Sequence, residues 1–312
     1  MNGQLSSLPK MTTVKPVLKW VGGKTQILDE ILSRFPSSIH HYHEPFLGGG
    51  SVLLGLLSRR QSGSIRVSGT IYASDVNSHL IGLYQTIQRS PEEFIIEVRR
   101  LINEFSTCLD GDVNRAPTTL EEARSSRESY YYWIRIQFNA LQEQMTPRSS
   151  AMLLFLNKTC FRGLYREGPH GFNVPYGNYV HAGIMDETHI RTVSQLLQGV
   201  VFRVQSFTES LAHVQRGDFI YLDPPYAPET ATSFVSYTAD GFGIEQHNLL
   251  FTRCQELTTL RVPWLMSNAD VPLVRDTFPA PYSTHIFSCR RSIHSKKPDS
   301  KTNEVLIAND AT

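Results

Sequence analysis

Four consecutive residues, Asp223-Pro224-Pro225-Tyr226, concentrate more chemistry than any other stretch, and they follow directly on the apolar run Phe219-Ile220-Tyr221-Leu222. An acid, two residues without a backbone donor and an aromatic ring therefore leave what reads as a buried strand together. The set suits a planar amino group. The Asp223 carboxylate and the Pro224 carbonyl are acceptors for its two N–H bonds, and Tyr226 offers a face to the ring that bears it. The prolines fix φ and restrict the residues before them, so the loop is stiff. Taken alone, the tetrapeptide also fits a strand that ends in a proline turn.

A second constellation lies in Glu44-Pro45-Phe46-Leu47-Gly48-Gly49-Gly50. Here a strand runs into a glycine turn and then a helix, which lets a ligand approach the backbone at the strand's carboxyl end. The spacing fits neither a phosphate-gripping Lys-Ser/Thr loop nor the dinucleotide pattern. Asp75 ends the next strand, where an acid either accepts from ribose hydroxyls or caps the helix that starts near Asn77. Further upstream, Gly22 and Gly23 precede the stripe Ile27, Leu28, Ile31, Leu32 and Phe35, so backbone N–H groups face whatever lies there.

The elements that position these groups alternate at both ends of the chain. Strands are predicted near 41–44, 70–74, 200–205, 219–222, 264–267, 282–288 and 304–308. Helices are predicted over 24–35, from about 51, and over 77–88 with Leu80, Leu83, Tyr84 and Ile87 on one face. Residues 90–155 are helical in pattern, with an exposed polar loop over 107–122. Residues 157–178 are glycine-rich, aromatic and basic, which predicts loops and a hairpin. Alternation at both ends implies one α/β sheet with a helical insertion. Residues 1–12 read as a flexible tail, 13–85 and 190–312 as the catalytic domain, and 86–189 as the insertion.

At 312 residues the chain is long enough for one large domain. A hydrophobic share of 40% and a charged share of 19% are ordinary for a soluble protein, and no apolar run approaches a bilayer span. The expected setting is therefore intracellular and cytoplasmic, with no membrane partner. Cys108, Cys160, Cys254 and Cys289 stand at no metal-ligand spacing, and His40, His41 and His43 lack the spacing of a helical zinc pair, so no metal is expected. A net charge of +1 does not announce a nucleic-acid partner, which leaves local patches to meet one. Two such patches exist: Lys158, Arg162 and Arg166, and Arg290, Arg291, Lys296, Lys297 and Lys301.

Taken together and in order, these segments resemble the Dam-like DNA adenine methyltransferases, the alpha group of amino-methyltransferases. The similar segments are Lys19-Trp20-Val21-Gly22-Gly23-Lys24, Glu44 to Gly50, Ser74-Asp75-Val76-Asn77, the recognition region from Asn157 to Arg166, Phe172-Asn173-Val174-Pro175-Tyr176-Gly177, Asp223 to Tyr226, and Arg290 to Ile293 with Asn303 to Leu306. The resemblance implies a Rossmann-like methyltransferase sheet with helices on both faces, and a mainly helical DNA-recognition insertion containing a hairpin. It implies S-adenosylmethionine as cofactor, lined by Trp20, Val21, Gly22, Lys24, Phe46, Gly48, Asp75, Ser206, Phe207 and Asp223. A phenylalanine just after a strand, as Phe207 is, is usually a core residue. Double-stranded DNA is the implied partner, contacted by Lys158, Arg162, Leu164, Arg166, Asn173, Pro175, Tyr179, Arg290 and Arg291. Arg162 stands where the family commonly has asparagine.

The implied reaction methylates the 6-amino group of an adenine flipped out of a short duplex site, GATC being the expected sequence and CATG its competitor. A restriction endonuclease acting on the same site is an expected companion, without a stable complex. The same tetrapeptide also suits methyl transfer to amino groups of RNA or protein, against which the region from Asn157 to Gly177 argues for duplex DNA. The other alternative is duplex binding by a relative that has lost catalysis, against which the intact Asp223 to Tyr226 and glycine motif argue.

Overall fold

The computed structural model describes residues 13–180, 182–228, 241–290 and 301–309. Its centre is a seven-stranded sheet in the order Ser283–Arg290, Lys301–Ala308, Trp264–Ala269, Phe219–Leu222, Tyr42–Glu44, Ile71–Asp75, Val200–Val204. The five strands from Trp264–Ala269 to Val200–Val204 run parallel, and the last hairpin of the chain adds two antiparallel strands at one edge. All seven expected strands are present, with boundaries shifted by a few residues.

Alternation along these strands builds two cores. Phe219, Tyr221, Leu265 and Leu306 point to one face, beside Tyr42, Ile71 and Ala73. Ile220, Leu222, Trp264, Met266, Val305 and Ile307 point to the other. Burial on both faces is the period-two pattern of a sheet covered by helices on each side. The helices Leu28–Ser33, Ser51–Gln61 and Ser78–Arg89 cover the first face, and Ile244–Thr259 and Pro272–Thr277 the second.

Between the first and last sheet segments lie Pro91–Ser106, Leu120–Ala123, Arg127–Asn139 and Pro147–Thr159, all helical. Pro147–Thr159 packs on Ser78–Arg89, so the latter buries Ile81 and Thr86 in addition to its predicted stripe. The expected helix over 24–35 is broken: a short 3₁₀ turn, Lys24–Gln26, meets Leu28–Ser33 across Ile27 at φ −119° and ψ 13°. The polar loop near 107–122 ends in the short helix Leu120–Ala123, whose cap Thr119 accepts from the Glu122 N–H.

The chain order reverses between Tyr42–Glu44 and Phe219–Leu222, neighbours in the sheet from opposite ends of the sequence. At such a switch point the loops leaving the two carboxyl ends diverge and open a crevice for ligand. Below it, at the amino ends of the same strands, Asp218 accepts from the backbone N–H groups of His41 and Gln215 and faces the rings of His40 and His43. The His41 Nδ1 is already engaged by the Thr70 N–H. This cluster ties the ends of two strands together on the side away from the crevice.

Candidate active site and nucleic-acid interface

The glycine turn is shaped by its neighbours. Gly48 and Gly50 adopt φ of +49° and +70°, values that strain any other residue. A Cβ on Gly49 would lie 2.7 Å from the Trp20 Cβ, and one on Gly50 2.7 Å from the Tyr84 hydroxyl. Tyr84 donates that hydroxyl to the Gly49 carbonyl at 2.6 Å. The turn is thus pressed between Trp20 and Tyr84.

Asp75 accepts from the Gly48 N–H through Oδ2 and from the Asn77 N–H through Oδ1, each at 3.0 Å. Burial pushes its carboxyl upward, and these N–H groups pull against the shift. The cap of the following helix is Asn77, which accepts from the Leu80 N–H at 3.0 Å. Asp75 therefore joins two strand ends rather than capping a helix. Each of its oxygens keeps a lone pair, which fits a pair of vicinal hydroxyls. Beside it Phe46 and Phe207 stack at 5.6 Å, and Phe242 closes on both. Ser206 forms a capping box with Glu209, and Phe207 is buried.

At the other strand end, the Lys24 Nζ meets Asp223 Oδ1 at 2.7 Å and also donates to the Gly22 carbonyl at 2.6 Å. The Lys24 side chain is only 5% exposed, so the pair is largely shielded from water. Burial pushes the Asp223 carboxyl upward, Lys24 opposes that shift, and Glu304 adds to it. Among the described residues nothing donates to Asp223 Oδ2 or to the Pro224 carbonyl. Both are therefore acceptors without a donor among the described residues.

The rest of the loop is tethered. His247 Nε2 lies 3.0 Å from the Pro225 carbonyl, and its Nδ1 lies 2.9 Å from the Gly243 carbonyl. The Ala227 N–H donates to Asn268 Oδ1 at 2.9 Å, and the Tyr226 hydroxyl donates to Glu304 Oε2 at 2.7 Å. Glu44, at the end of the adjoining strand, is fully enclosed, accepts from the Tyr42 hydroxyl at 2.7 Å, and has its carboxyl pushed up to about 8 by burial. His247, Asn268, Glu304 and Glu44 were not foreseen as site residues. Two of them carried a signal: Glu44, an acid ending a buried strand shortly before the glycine turn, and Glu304, which lies in the family-like segment Asn303 to Leu306.

Residues 160–179 form the basic loop and hairpin. Glu167–Gly168 and Gly171–Phe172 pair antiparallel, and Asn139 brackets Phe172 through both of its backbone groups. Tyr131 donates to the Val174 carbonyl at 2.7 Å. Buried Asn157 joins this loop to the N-terminal segment: it accepts from the Lys19 N–H at 2.9 Å and donates to the carbonyls of Lys19 and Gly163. Trp20 stacks on Tyr165 at 5.2 Å, so the glycine turn and the loop share an aromatic contact.

Of the residues expected to meet DNA, Arg162, Arg166, Asn173 and Pro175 are exposed, while Leu164 and Tyr179 are half-buried. Arg166 Nε donates to Asn173 Oδ1 at 2.6 Å. Arg162 sits at φ 58°, its guanidinium over the Phe161 ring, and its N–H donates to the Tyr179 hydroxyl at 2.8 Å. Lys158 is half-buried, and burial together with Lys19 holds its ammonium below the usual lysine range. Phe161, an aromatic ring 45% exposed on this face, was not foreseen. Arg291 and the basic residues up to Lys297 lie outside the described residues, as do the side chains of Arg290 and Lys301.

A mixed, mainly parallel α/β sheet carries a glycine turn, a strand-end acid and a stiff Asp-Pro-Pro-Tyr loop at the carboxyl ends of neighbouring strands, the place where enzymes of this sheet class bind their ligands. Residues 20–293 match the family model of D12 class N6 adenine-specific DNA methyltransferase, and the chain belongs to that family. It is 35% identical over 264 residues to the type II methyltransferase M.MjaIII of Methanocaldococcus jannaschii, covering 82% of this chain and 84% of that protein. The DNA adenine methylase of Escherichia coli strain K12 is 30% identical over 293 residues, covering 93% of each chain. The type II methyltransferase M1.LlaDCHI of Lactococcus lactis subsp. cremoris is 28% identical over 303 residues, covering 95% of each.

Proposed function

We propose that this protein methylates the 6-amino group of adenine in a short duplex DNA site, using S-adenosylmethionine and flipping the target base. The observation that carries the reading is the pair of open acceptors, Asp223 Oδ2 and the Pro224 carbonyl, beside a carboxylate oxygen already clamped by Lys24. Lys24 fixes the orientation of the Asp223 carboxylate and leaves its second oxygen for one N–H of the amino group. The Pro224 carbonyl takes the other N–H, and Tyr226 stacks on the base.

An amino group so held has its lone pair localised on nitrogen and aimed across the crevice. Bound S-adenosylmethionine supplies an activated methyl on a positive sulfonium. As positive charge grows on nitrogen, both acceptors hold it more strongly than they held the neutral base, which is the condition for catalysis. The upward pull of burial on Asp223 makes its free oxygen a better proton acceptor, and water takes the proton afterwards. Asp75 suits the ribose hydroxyls, Phe46 and Phe207 the adenine ring of the cofactor, and Trp20, Val21, Gly22, Lys24 and Gly48 its methionine end.

Residues 86–189 serve as the recognition unit on the catalytic domain. Arg166 reads a guanine edge, Asn173, Leu164 and Pro175 add further base contacts, and Lys158, Arg162, Tyr179, Arg290 and Arg291 serve the surrounding backbone. The exposed Phe161 ring is suited to fill the gap left by the flipped base, whose extrusion costs a few kcal/mol. GATC is the proposed site, and the setting is intracellular DNA that a companion endonuclease also reads. Tritiated methyl transfer to duplex DNA, single-stranded RNA and protein decides the substrate, and sequencing of DNA from a methylation-free host expressing the protein decides the site. Modification of a sequence without adenine, or label entering only RNA or protein, overturns the reading.

A further inference from the structure

Glu304 stands 78 residues after Tyr226, in the antiparallel strand Lys301–Ala308, yet its Oε2 accepts the Tyr226 hydroxyl at 2.7 Å. Its register partners, Ala269 and Phe287, offer it no charge. Among the described residues no cation forms an ion pair with it, and it pushes the Asp223 carboxyl upward. Nothing in its strand pairing calls for an acid at this position; among the described residues its side chain's one hydrogen-bond partner is the Tyr226 hydroxyl. An acid that its strand does not call for is the mark of a residue kept for the site.

The Tyr226 ring already shows what it attracts. The Lys24 ammonium sits 4.9 Å from its centroid. Burial first, then Asp223 and Glu304, lift the Tyr226 phenol well above its usual range, so the hydroxyl keeps its proton and is the donor of this bond.

We propose that Glu304 is a positioning residue for methyl transfer: its carboxylate fixes the Tyr226 ring through the hydroxyl and enriches the ring face against which the target base becomes cationic. This rests on the amino-methylation reading given above. A charge-assisted bond from a phenol pushes electron density into the ring, and the ring face attracts positive charge. The stacked base is neutral in the ground state and positive as the methyl moves. The gain is therefore larger in the transition state than in the bound state.

The test is single-turnover methyl transfer to plasmid DNA from a methylation-free host, at saturating S-adenosylmethionine, for the wild type, Glu304→Gln, Tyr226→Phe and the double variant. Duplex Kd and unfolding midpoint are measured on the same four proteins. Each single variant is expected to lose about tenfold in rate with Kd and midpoint near wild type, and the double variant is expected to be no slower than the slower single. Glutamine still accepts the hydroxyl, so a rate loss in Glu304→Gln isolates the charge. A wild-type rate in that variant overturns the proposal, as do losses that multiply in the double variant. A rate loss matched by a fall in midpoint also overturns it, assigning Glu304 to strand stability. A wild type that transfers no methyl to DNA overturns the methylation reading itself, an outcome visible before any variant is compared.

Discussion

Around Asp223 the side chains proposed to act in methyl transfer are themselves immobilised, whereas between residues 160 and 179 the backbone is fixed and several of the side chains proposed to read DNA, Arg166 and Asn173 among them, are exposed. Asp223 is clamped by Lys24, Tyr226 by Glu304 and the loop backbone by His247 and Asn268. In the hairpin, Asn157, Asn139 and Tyr131 hold carbonyls and N–H groups, while the Arg166 side chain, among the described residues, bonds only to Asn173. The two solutions suit two tasks. Methyl transfer depends on placing one nitrogen to within a fraction of an ångström, and prior ordering supplies much of that. Reading a base edge needs a side chain that can exchange an internal partner for an external one, on a frame that does not move.

The sharpest way to break this contrast is to remove the fixed acid. Asp223→Ala deletes an acceptor and strands the buried Lys24. Methyl transfer is expected to fall by about 10³-fold or more, by analogy with loss of one preorganised group in other active sites, while duplex binding persists. Single-turnover rates and fluorescence-anisotropy binding check both halves. An equal loss of binding would mean that the two regions are not separable.

Glu44 probes the electrostatic cost of the fixed pocket. Its carboxyl is ordinarily near 4.5 and is pushed up to about 8 in the fold. A raised carboxyl means that the folded protein holds the proton more tightly, so the stability this gives is complete below pH 4.5 and is lost as pH rises toward 8. Glu44→Gln is expected to remove that slope, with a difference on the order of 3 kcal/mol between pH 5 and pH 8. Urea unfolding at the two pH values reads it. A wild-type slope unchanged by the substitution would place the titration elsewhere.

Asn157→Ala strikes the frame of the other region. It leaves the Lys19 N–H and the carbonyls of Lys19 and Gly163 without their partner, at a cost of roughly 2 kcal/mol in stability. Sequence preference is expected to blur as the loop loosens, with transfer on a preferred site less affected. Methylation profiles across a random-sequence library show whether that is so.

What the sequence made legible follows from the range of the forces involved. The strands were readable because alternation is local: Phe219 and Tyr221 face one core, Ile220 and Leu222 the other. The acid of the loop and the glycine turn were readable because their chemistry sits in consecutive residues. The break at Ile27 was not, because the Leu28–Ser33 stripe continues through it, and the turn is set by the Lys24 N–H reaching Ser51 Oγ at 3.2 Å, 27 residues away. Nor was Asn157, whose neighbours in sequence give no hint that it spans 138 residues to Lys19. The pairing of Lys24 with Asp223 belongs to the same class. Both residues were named, but their contact exists only because the sheet puts opposite ends of the chain side by side.

Arg166 offers the finest test of the contrast, since a freely exchanging side chain should matter for discrimination and for little else. In the free protein its guanidinium is occupied by the Asn173 side chain at 2.6 Å and the Asn173 carbonyl at 3.3 Å. A guanine edge can replace the first of these with a bidentate contact, releasing Asn173 for a base or phosphate of its own. Arg166→Ala is expected to cost ~1–3 kcal/mol at one base pair of the site and to leave other positions and fold stability nearly untouched. Arg166→Lys keeps the charge but loses the fork, so it should recover phosphate-driven affinity without recovering the preference. Relative transfer rates on duplexes varied one base pair at a time separate these outcomes. A loss spread evenly over all positions would make Arg166 a backbone contact, and the loop's reading function would then fall to Leu164 and Pro175.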